Sequence, residues 1–230
     1  GSLSTLQIGG LTSTQLQGLT TDQIPYLTAS QVAAIPTAYI SSLSSLQIKA
    51  MKTAQIQGLT TAQIVKLSST QVAALPADDI ISLSSAQIRS MTSTQLQALT
   101  TAQIPFLTTT QVTALPTGYF SSLSSTQINA MSLAQLKALT TSQIANFSSL
   151  QVAALTTADI GILGTAQIRS MTSVQLPALT STQIPYLSSD QVASLPSAYI
   201  SSLSTTQLNA MSVTQFKALT AAQTANFSSV

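Results

Sequence analysis

The chain lacks cysteine, histidine and tryptophan altogether, and only 5% of its 230 residues are charged. Without cysteine or histidine, the chain cannot form a disulfide framework, a thiolate nucleophile, a histidine general base or a Cys/His zinc site. Seven Lys and Arg against five acidic residues give a net charge of +2. Because neutralising a phosphate backbone requires many clustered cations, we predict no nucleic-acid partner.

Acidic residues and long apolar runs are also scarce. Only Asp78 and Asp79 adjoin each other, and neighbouring residues on a short helix do not face one another. Calcium sites and paired-carboxylate active sites need more carboxylates in one place. We therefore predict a protein that is not an enzyme and has no cofactor and no metal site. With no apolar run of about 18 residues, we also predict no membrane span.

What the chain does contain is an eight-residue repeat that runs from residue 3 to residue 226 without insertion or deletion, in 28 octads. Its consensus is Leu-[Thr/Ser]-[Thr/Ser]-x-Gln-[Ile/Val/Leu]-x-x, and we number these positions 1 to 8. Every fifth octad has another residue at position 5, which adds a 40-residue superrepeat. The residues that replace Gln there are Tyr39, Asp79, Tyr119, Asp159 and Tyr199.

Each octad contains the signals that start a helix. In the octad that begins at Leu19, Thr20 is a good N-cap because its hydroxyl can accept from a backbone N–H three residues later. Gln23 can reach back to the N–H of Thr20, which completes a capping box. Leu19 and Ile24 occupy the two positions of a hydrophobic staple. The sequence therefore predicts one short helix per octad.

Three other structures fit the pattern less well. In a continuous helix the apolar stripe would drift by about 80° per octad, at about 100° per residue. A β-solenoid needs inward residues of one parity, whereas the apolar positions 1 and 6 have opposite parity. Disorder is disfavoured by the regular apolar residues, which can be buried.

The Ser and Thr residues at positions 2 and 3 interchange freely along the chain. This favours a capping role for them over the alternative, an ice-binding face.

We therefore predict an all-α repeat solenoid, a superhelix of very short capped helices stabilised by stacking. In the fifth octads with Pro at position 2 (Pro36, Pro76, Pro116 and Pro196), the capping hydroxyl is lost, and Tyr or Asp at position 5 removes the glutamine. Because these octads recur every 40 residues, we expect each to mark a corner and each superhelical turn to hold five octads.

The repeat covers nearly the whole chain, so we predict a single solenoid domain over residues 3–230, with 28 octads and a partial one. Gly1 and Ser2 resemble the remnant left by cleavage of an expression tag. Neither end departs from the repeat, as terminal caps of solenoids do, so we expect a fragment of a longer array. Exposed end coils would favour end-to-end self-association.

The aromatic residues are few and partly ordered. Some of them form two sets, and the members of each set occupy the same position in the superrepeat. The first set is Tyr26, Phe106 and Tyr186, and the second is Tyr39, Tyr119 and Tyr199. On a 40-residue turn each set would form one line, able to stack on sugar rings or to anchor a protein. The interpretation we favour is that each ring covers a corner of the core. A module that binds a cell-surface glycan or protein through these rings is the alternative function.

The tandem strings at residues 59–64 and 99–104, Leu-Thr-Thr-Ala-Gln-Ile, resemble repeat tracts of large bacterial surface or secreted proteins of the adhesin-like or haemagglutinin-like kind. This resemblance extends over essentially the whole chain. It implies an extracellular or cell-surface location in a bacterium and a structural or adhesive role. We therefore expect a non-enzymatic spacer or scaffold segment with adhesive contacts along its outer face.

Overall fold

The computed structural model describes residues 3–225, in which every octad folds as one short helix. The expected tag remnant at Gly1 and Ser2 and the partial octad after residue 226 lie outside the described residues. The chain divides into two compact units, Gly1–Leu115 and Pro116–Val230. Among the described residues there are 22 α-helices of four to six residues, six 3-10 helices and no strand.

In the first unit, eleven α-helices run in chain order. They are α1 (Thr5–Gly9), α2 (Ser13–Gln17), α3 (Ala29–Ala33), α4 (Ser45–Lys49), α5 (Thr53–Gly58), α6 (Thr61–Ile64), α7 (Ser69–Ala74), α8 (Ala77–Ser82), α9 (Ser85–Ser90), α10 (Ser93–Gln97) and α11 (Thr109–Ala114). The remaining octads of this unit form the 3-10 helices Ile24–Tyr26, Thr37–Ser42 and Ile104–Phe106.

The second unit also has eleven α-helices and three 3-10 helices among its described residues. Its α-helices are α12 (Ser125–Asn129), α13 (Leu133–Ala138), α14 (Thr141–Ile144), α15 (Ser149–Ala154), α16 (Thr157–Ile162), α17 (Thr165–Arg169), α18 (Ser189–Ser194), α19 (Ser197–Ser201), α20 (Thr205–Ala210), α21 (Val213–Lys217) and α22 (Ala221–Thr224). Its 3-10 helices are Thr117–Ser122, Leu176–Ala178 and Ile184–Tyr186. The prediction of an all-α repeat with one helix per octad is confirmed.

The capping box starts these helices. Before α6, the backbone N–H of Thr60 donates to Oε1 of Gln63 at 2.9 Å, and the N–H of Gln63 donates to the Thr60 hydroxyl at 3.2 Å. Leu59 and Thr60 are extended, with ψ near 129° and 157°. An octad is thus a short helix preceded by two extended residues, and the predicted capping box is confirmed.

Proline at position 7 explains four of the 3-10 helices. In the octad of α6, the N–H of Val65 donates to the carbonyl of Thr61 at 3.1 Å. Pro25 stands at the equivalent position, and because proline has no N–H it cannot make this bond. The helix there is the 3-10 segment Ile24–Tyr26. Proline stands at the same position in three other octads with 3-10 helices, as Pro105, Pro177 and Pro185.

Positions 1 and 6 of the octad form the core. At position 6, Ile56 and Ile64 are 0% and 1% exposed, and at position 1 Leu59 and Leu67 are 3% and 4% exposed. Burial of these regularly placed side chains supplies the stability that helices of this length lack on their own. The prediction that Leu and Ile of the octads face the interior is confirmed within each unit, with exceptions such as Leu3, which is 42% exposed.

The helices stack in layers, and we use "layer" for one turn of the solenoid. In the first unit α5 contacts α3 and α8, which belong to the octads three before and three after it. Hydrogen bonds between layers join residues 25 to 31 positions apart. A layer therefore holds three to four octads, and our prediction of five is wrong. The turn is set by contacts that nearly every octad makes, whereas the 40-residue period marks only the substitutions in the fifth octads.

At Gly58 the adjacent layer approaches so closely that it leaves no room for a side chain. A Cβ added to Gly58 would lie 2.8 Å from the Cβ and 3.1 Å from the Cα of Ala29. Because backbone atoms cannot move aside cheaply, we expect Gly58→Ala to lower the free energy of unfolding by about 1–3 kcal/mol. Gly118→Ala is the matched control, since a Cβ there meets nothing within 4 Å. Urea unfolding should show unchanged or slightly higher stability for this control; equal losses in both variants would contradict the layer contact.

Candidate functional site

The glutamine at position 5 joins successive layers. Oε1 of Gln63 accepts from the N-cap, and its Nε2 donates to the carbonyls of Val32 and Ile35, each at 2.9 Å. These acceptors lie 31 and 28 residues earlier. Gln63 is 1% exposed, so both bonds lie away from water. We call the bonds from one glutamine amide to the layer before it a layer tie.

Layer ties recur throughout both units. Bonds to the carbonyls 31 and 28 residues earlier are made by Gln47, Gln55, Gln63, Gln71, Gln87, Gln95, Gln103, Gln111, Gln151, Gln167, Gln175, Gln183, Gln191, Gln215 and Gln223. Their N···O distances lie between 2.5 and 3.2 Å. Within each unit, the same bond geometry therefore sets the layer spacing.

The sequence predicted the glutamine only as a member of the capping box, and the layer tie was not predicted. Glutamate completes a capping box equally well, because only its oxygen is needed. The layer tie in addition requires an amide NH2, which glutamate lacks. All five acidic residues of the chain are aspartates, so glutamate is absent. This absence was the signal that position 5 needs a donor as well as an acceptor.

Four of the five fifth octads lose the cap and the layer tie together. Pro36, Pro76, Pro116 and Pro196 stand at the N-cap without a side-chain capping bond, as predicted. Because proline has no N–H, the Oε1 of a glutamine three residues later would have no N-cap donor. Proline at position 2 thus removes one reason for glutamine at position 5.

One fifth octad does not follow this prediction. Thr156 stands at its N-cap, and the Thr156 N–H donates to Oδ2 of Asp159 at 2.8 Å. In return, the Asp159 N–H donates to the Thr156 hydroxyl at 3.2 Å. The expected loss of the cap is therefore wrong here, since threonine keeps both donors and aspartate replaces only the acceptor.

Asp79 is a buried carboxyl in the first unit, 3% exposed. Burial raises its pKa above the ordinary 3.8, the charge of Asp78 adds to this, and a hydrogen bond from the Thr53 side chain opposes it. A glutamine in place of Asp79 would form a layer tie to the carbonyls of Ile48 and Met51, which lie 31 and 28 residues earlier. An ionised carboxylate cannot donate, so a cost remains at neutral pH.

We expect Asp79→Asn to raise the free energy of unfolding at pH 7 by about 1 kcal/mol, because an amide can donate. A raised folded-state pKa means that the folded chain binds this proton more tightly than the unfolded chain. Wild-type stability should therefore rise as the pH falls through that pKa towards 3.8, and the advantage of the Asp79→Asn variant should shrink. Thermal unfolding at several pH values measures this. Asp22→Asn, at the exposed position 4 of another octad in the first unit, is the control, and an advantage independent of pH would contradict our assignment.

Two of the predicted site residues lie in the core of the second unit. Tyr119 and Tyr199 are 3% and 5% exposed, and burial raises the pKa of both phenols. The ring of Tyr119 meets Phe120 edge-on at 5.7 Å between centroids. Tyr199 lines a cavity of about 240 Å³ between its own octad and that of Met171. Neither ring offers a face for stacking on a sugar.

The hydroxyl of Tyr199 is buried without a hydrogen-bond partner among the described residues. A buried unpaired hydroxyl costs about 1–3 kcal/mol. We therefore expect Tyr199→Phe to raise the free energy of unfolding by about 1 kcal/mol, as measured in urea. Tyr186→Phe, at a ring that is 57% exposed, serves as the control and should change little. Destabilisation by Tyr199→Phe would show that this hydroxyl has a partner.

The other four predicted site residues lie at or near the surface. Tyr26, Phe106 and Tyr186 are 85%, 42% and 57% exposed, and Tyr39 is partly exposed. In the first unit, Nζ of Lys52 lies 6.0 Å from the centre of the Tyr26 ring, within the range of a cation–π contact. Each set would lie along one line only on a 40-residue turn, and a layer of three to four octads does not align them.

The described residues offer no metal cluster and no membrane-spanning helix. Residues 3–225 contain no group of three or more Asp, Glu, His or Cys side chains placed to hold a metal ion. In the same part of the chain, no helix has the length and apolar character needed to cross a membrane. The recurrent polar chemistry that the structure does bring together is the capping box and the layer tie.

One short helix per octad, stacked in layers, defines a helical repeat protein. A family model described as the ALTTAQ repeat matches residues 40–77, 72–109, 80–117, 112–149, 152–189 and 163–197. These matches cover most of the chain, which therefore belongs to the ALTTAQ repeat family. The string Ala-Leu-Thr-Thr-Ala-Gln itself stands at residues 98–103. No curated protein matches the chain.

Proposed function

We propose that the chain is a non-enzymatic structural segment that acts as a spacer in a bacterial surface or secreted protein, with adhesive contacts on its outer face. The observation that carries this proposal is the double use of glutamine. In Gln63, Oε1 serves the capping box and Nε2 serves the layer tie. The polar residues that recur most regularly are thus committed to the architecture.

Membership of a repeat family supports a structural role. The bacterial and extracellular part of the proposal rests on the resemblance of the Leu-Thr-Thr-Ala-Gln strings to tracts of adhesin-like proteins. It is consistent with the many exposed Ser and Thr residues of the octads. The function of such a segment would be to set a distance between the parts of a larger protein.

A spacer should lengthen in proportion to its number of octads. We would duplicate residues 43–122 once and twice and measure the maximum dimension by small-angle X-ray scattering. At about 8–10 Å per layer, each 80-residue block should add roughly 25 Å. A Gly/Ser insert of equal length is the control, because a flexible chain gives no constant increment. If the maximum dimension instead increased only as it does for a compact globular protein, the spacer role would be overturned.

The location needs its own experiment. In cells that make the protein, an antibody against the repeat should label intact cells, or the repeat should be recovered from the medium. Labelling only after lysis would contradict the surface location and leave the spacer role standing.

A glycan-binding module is the second candidate, favoured by the exposed Tyr26 ring beside Lys52. Aromatic faces of this kind can stack on sugar rings. Binding on a glycan array that is lost in Tyr26→Ala and Tyr186→Ala, and kept in Tyr199→Phe, would support this candidate. Binding that none of these changes affects would exclude the rings as the contact.

A further inference from the structure

The layer ties are interrupted at regular intervals along the chain. A tie needs an amide at position 5, and the Tyr and Asp residues that stand there in the fifth octads have none. Four of these octads also have proline at the N-cap, without a side-chain capping bond, and these prolines are Pro36, Pro76, Pro116 and Pro196. Once in every 40 residues, therefore, an octad lacks the tie that glutamine would make to the layer before it.

The octad at residues 75–82 shows the contrast with its neighbours in the first unit. Gln71 stands in the octad before it and Gln87 in the octad after it, and each amide donates to two carbonyls of the preceding layer at 2.6–3.2 Å. Between them, Asp79 accepts a hydrogen bond from the Thr53 side chain, but an ionised carboxylate cannot donate to a carbonyl. This octad is thus joined to the preceding layer less firmly than the octads on either side.

Space is also left unfilled beside fifth octads in both units. In the first unit, a groove of about 380 Å³ is lined by Pro76, Ala77 and Thr100. In the second unit, a cavity of about 240 Å³ is lined by Pro196 and Met171. Atoms that border unfilled space have lost van der Waals partners. Packing at these octads therefore adds less to their stability than it does where the layers are in full contact.

We propose that the fifth octads with proline at the N-cap are joints, which open locally while the tied octads on either side stay folded. Every inner octad receives ties on its carbonyls, as Ile80 does from Gln111. To open the octad of Gln63 also breaks its own tie and its own capping box, whereas a joint has neither to break. Local opening therefore starts at the joints. Together with the spacer role proposed above, this lets the chain yield at fixed intervals without losing the octads in between.

Native-state hydrogen exchange at the backbone N–H of position 6 tests this, because isoleucine stands there in three octads of the first unit. Ile64, Ile80 and Ile88 are at most 1% exposed, and each N–H donates to the carbonyl of its N-cap residue, at 2.9, 3.2 and 3.0 Å respectively. Under conditions where the exchange rate reports the opening equilibrium, Ile80 should exchange faster than Ile64 and Ile88 by about tenfold or more. Exchange of all three at one rate would overturn the proposal.

A return to the consensus should remove the joint. The double variant Pro76→Thr/Asp79→Gln restores the N-cap N–H, the capping hydroxyl and the amide at position 5, so the exchange of Ile80 should slow to the rate of Ile64. Asp22→Gln removes a carboxylate at an exposed position of another octad, and this matched control should leave the exchange of Ile80 unchanged. Fast exchange of Ile80 in the double variant, or equal slowing in the control, would contradict a joint at this octad.

The outcome is independent of the test of the spacer role. A chain whose octads all open alike can still lengthen in proportion to their number, so uniform exchange overturns the joints and leaves the spacer standing. Conversely, fast exchange confined to Ile80 in a chain that does not lengthen with added octads would support the joints and overturn the spacer.

Discussion

Gln63→Glu is expected to lower the free energy of unfolding by about 3–5 kcal/mol at pH 7, although it changes one NH2 group to an oxygen. The capping box survives, because a carboxylate oxygen can still accept the Thr60 N–H. The layer tie does not survive, since the carboxylate faces the carbonyl oxygens of Val32 and Ile35. Two acceptors lose their donor, and a charge is left buried without a partner.

The matched control is Gln15→Glu. Gln15 makes the same capping box with Thr12, but it is exposed and its amide donates to no other described residue. Its replacement should change stability by no more than about 0.5 kcal/mol. Urea unfolding of the two variants compares the layer tie with the cap alone, and similar losses would show that the tie contributes little.

Acidification provides a second measurement on Gln63→Glu. A buried carboxyl has a raised pKa, so the folded variant binds the proton more tightly than the unfolded chain does. The deficit relative to wild type should therefore shrink as the pH falls through that pKa. Once protonated, the side chain again has one O–H donor. A deficit that stays constant from pH 7 to pH 4 would exclude a buried charge as its cause.

Ile56→Ala is expected to cost about 2–5 kcal/mol. Ile56 is fully buried at position 6, so the change removes apolar contacts and leaves a cavity. The neighbouring backbone cannot close around it, because Gln87 donates to the carbonyl of Ile56 at 3.2 Å and Gln55 ties the same octad to the layer before it. The free energy of unfolding in urea measures the loss.

Leu46→Ala is the control for this prediction. Leu46 stands at position 4 and is 68% exposed, so its replacement should change stability by no more than about 0.5 kcal/mol. The pair compares an apolar residue of the repeat pattern with one outside it. A large loss at Leu46 together with a small one at Ile56 would contradict the assignment of position 6 to the core.

Much of the local structure follows from the sequence, because its causes lie within eight residues. Thr20 and Gln23 predict where a helix begins, and Leu19 and Ile24 predict what it buries. The number of octads in a layer depends on how far a glutamine amide reaches into the preceding layer. The spacing of Tyr39 and Asp79 is unrelated to this distance. The 40-residue period therefore predicted the wrong number of octads per layer.

The candidate site could be predicted only in part. The sequence identifies Tyr26 and Tyr199 as members of ordered sets, but their exposures, 85% and 5%, depend on layer contacts that the register does not contain. The residues at positions 2 and 5 depend on each other, because the backbone N–H of position 2 donates to the side-chain oxygen of position 5. Proline removes this N–H, but the sequence does not show which atom accepts from it.

Layer ties end on main-chain oxygens, which every residue possesses. The amide of Gln95 reaches the carbonyls of Ile64 and Leu67, and it would find the same atoms if other side chains stood there. An octad can therefore be copied, lost or exchanged with another without leaving its neighbours unmatched. We expect genes for such arrays to vary in octad number through slippage or unequal recombination, with folding retained.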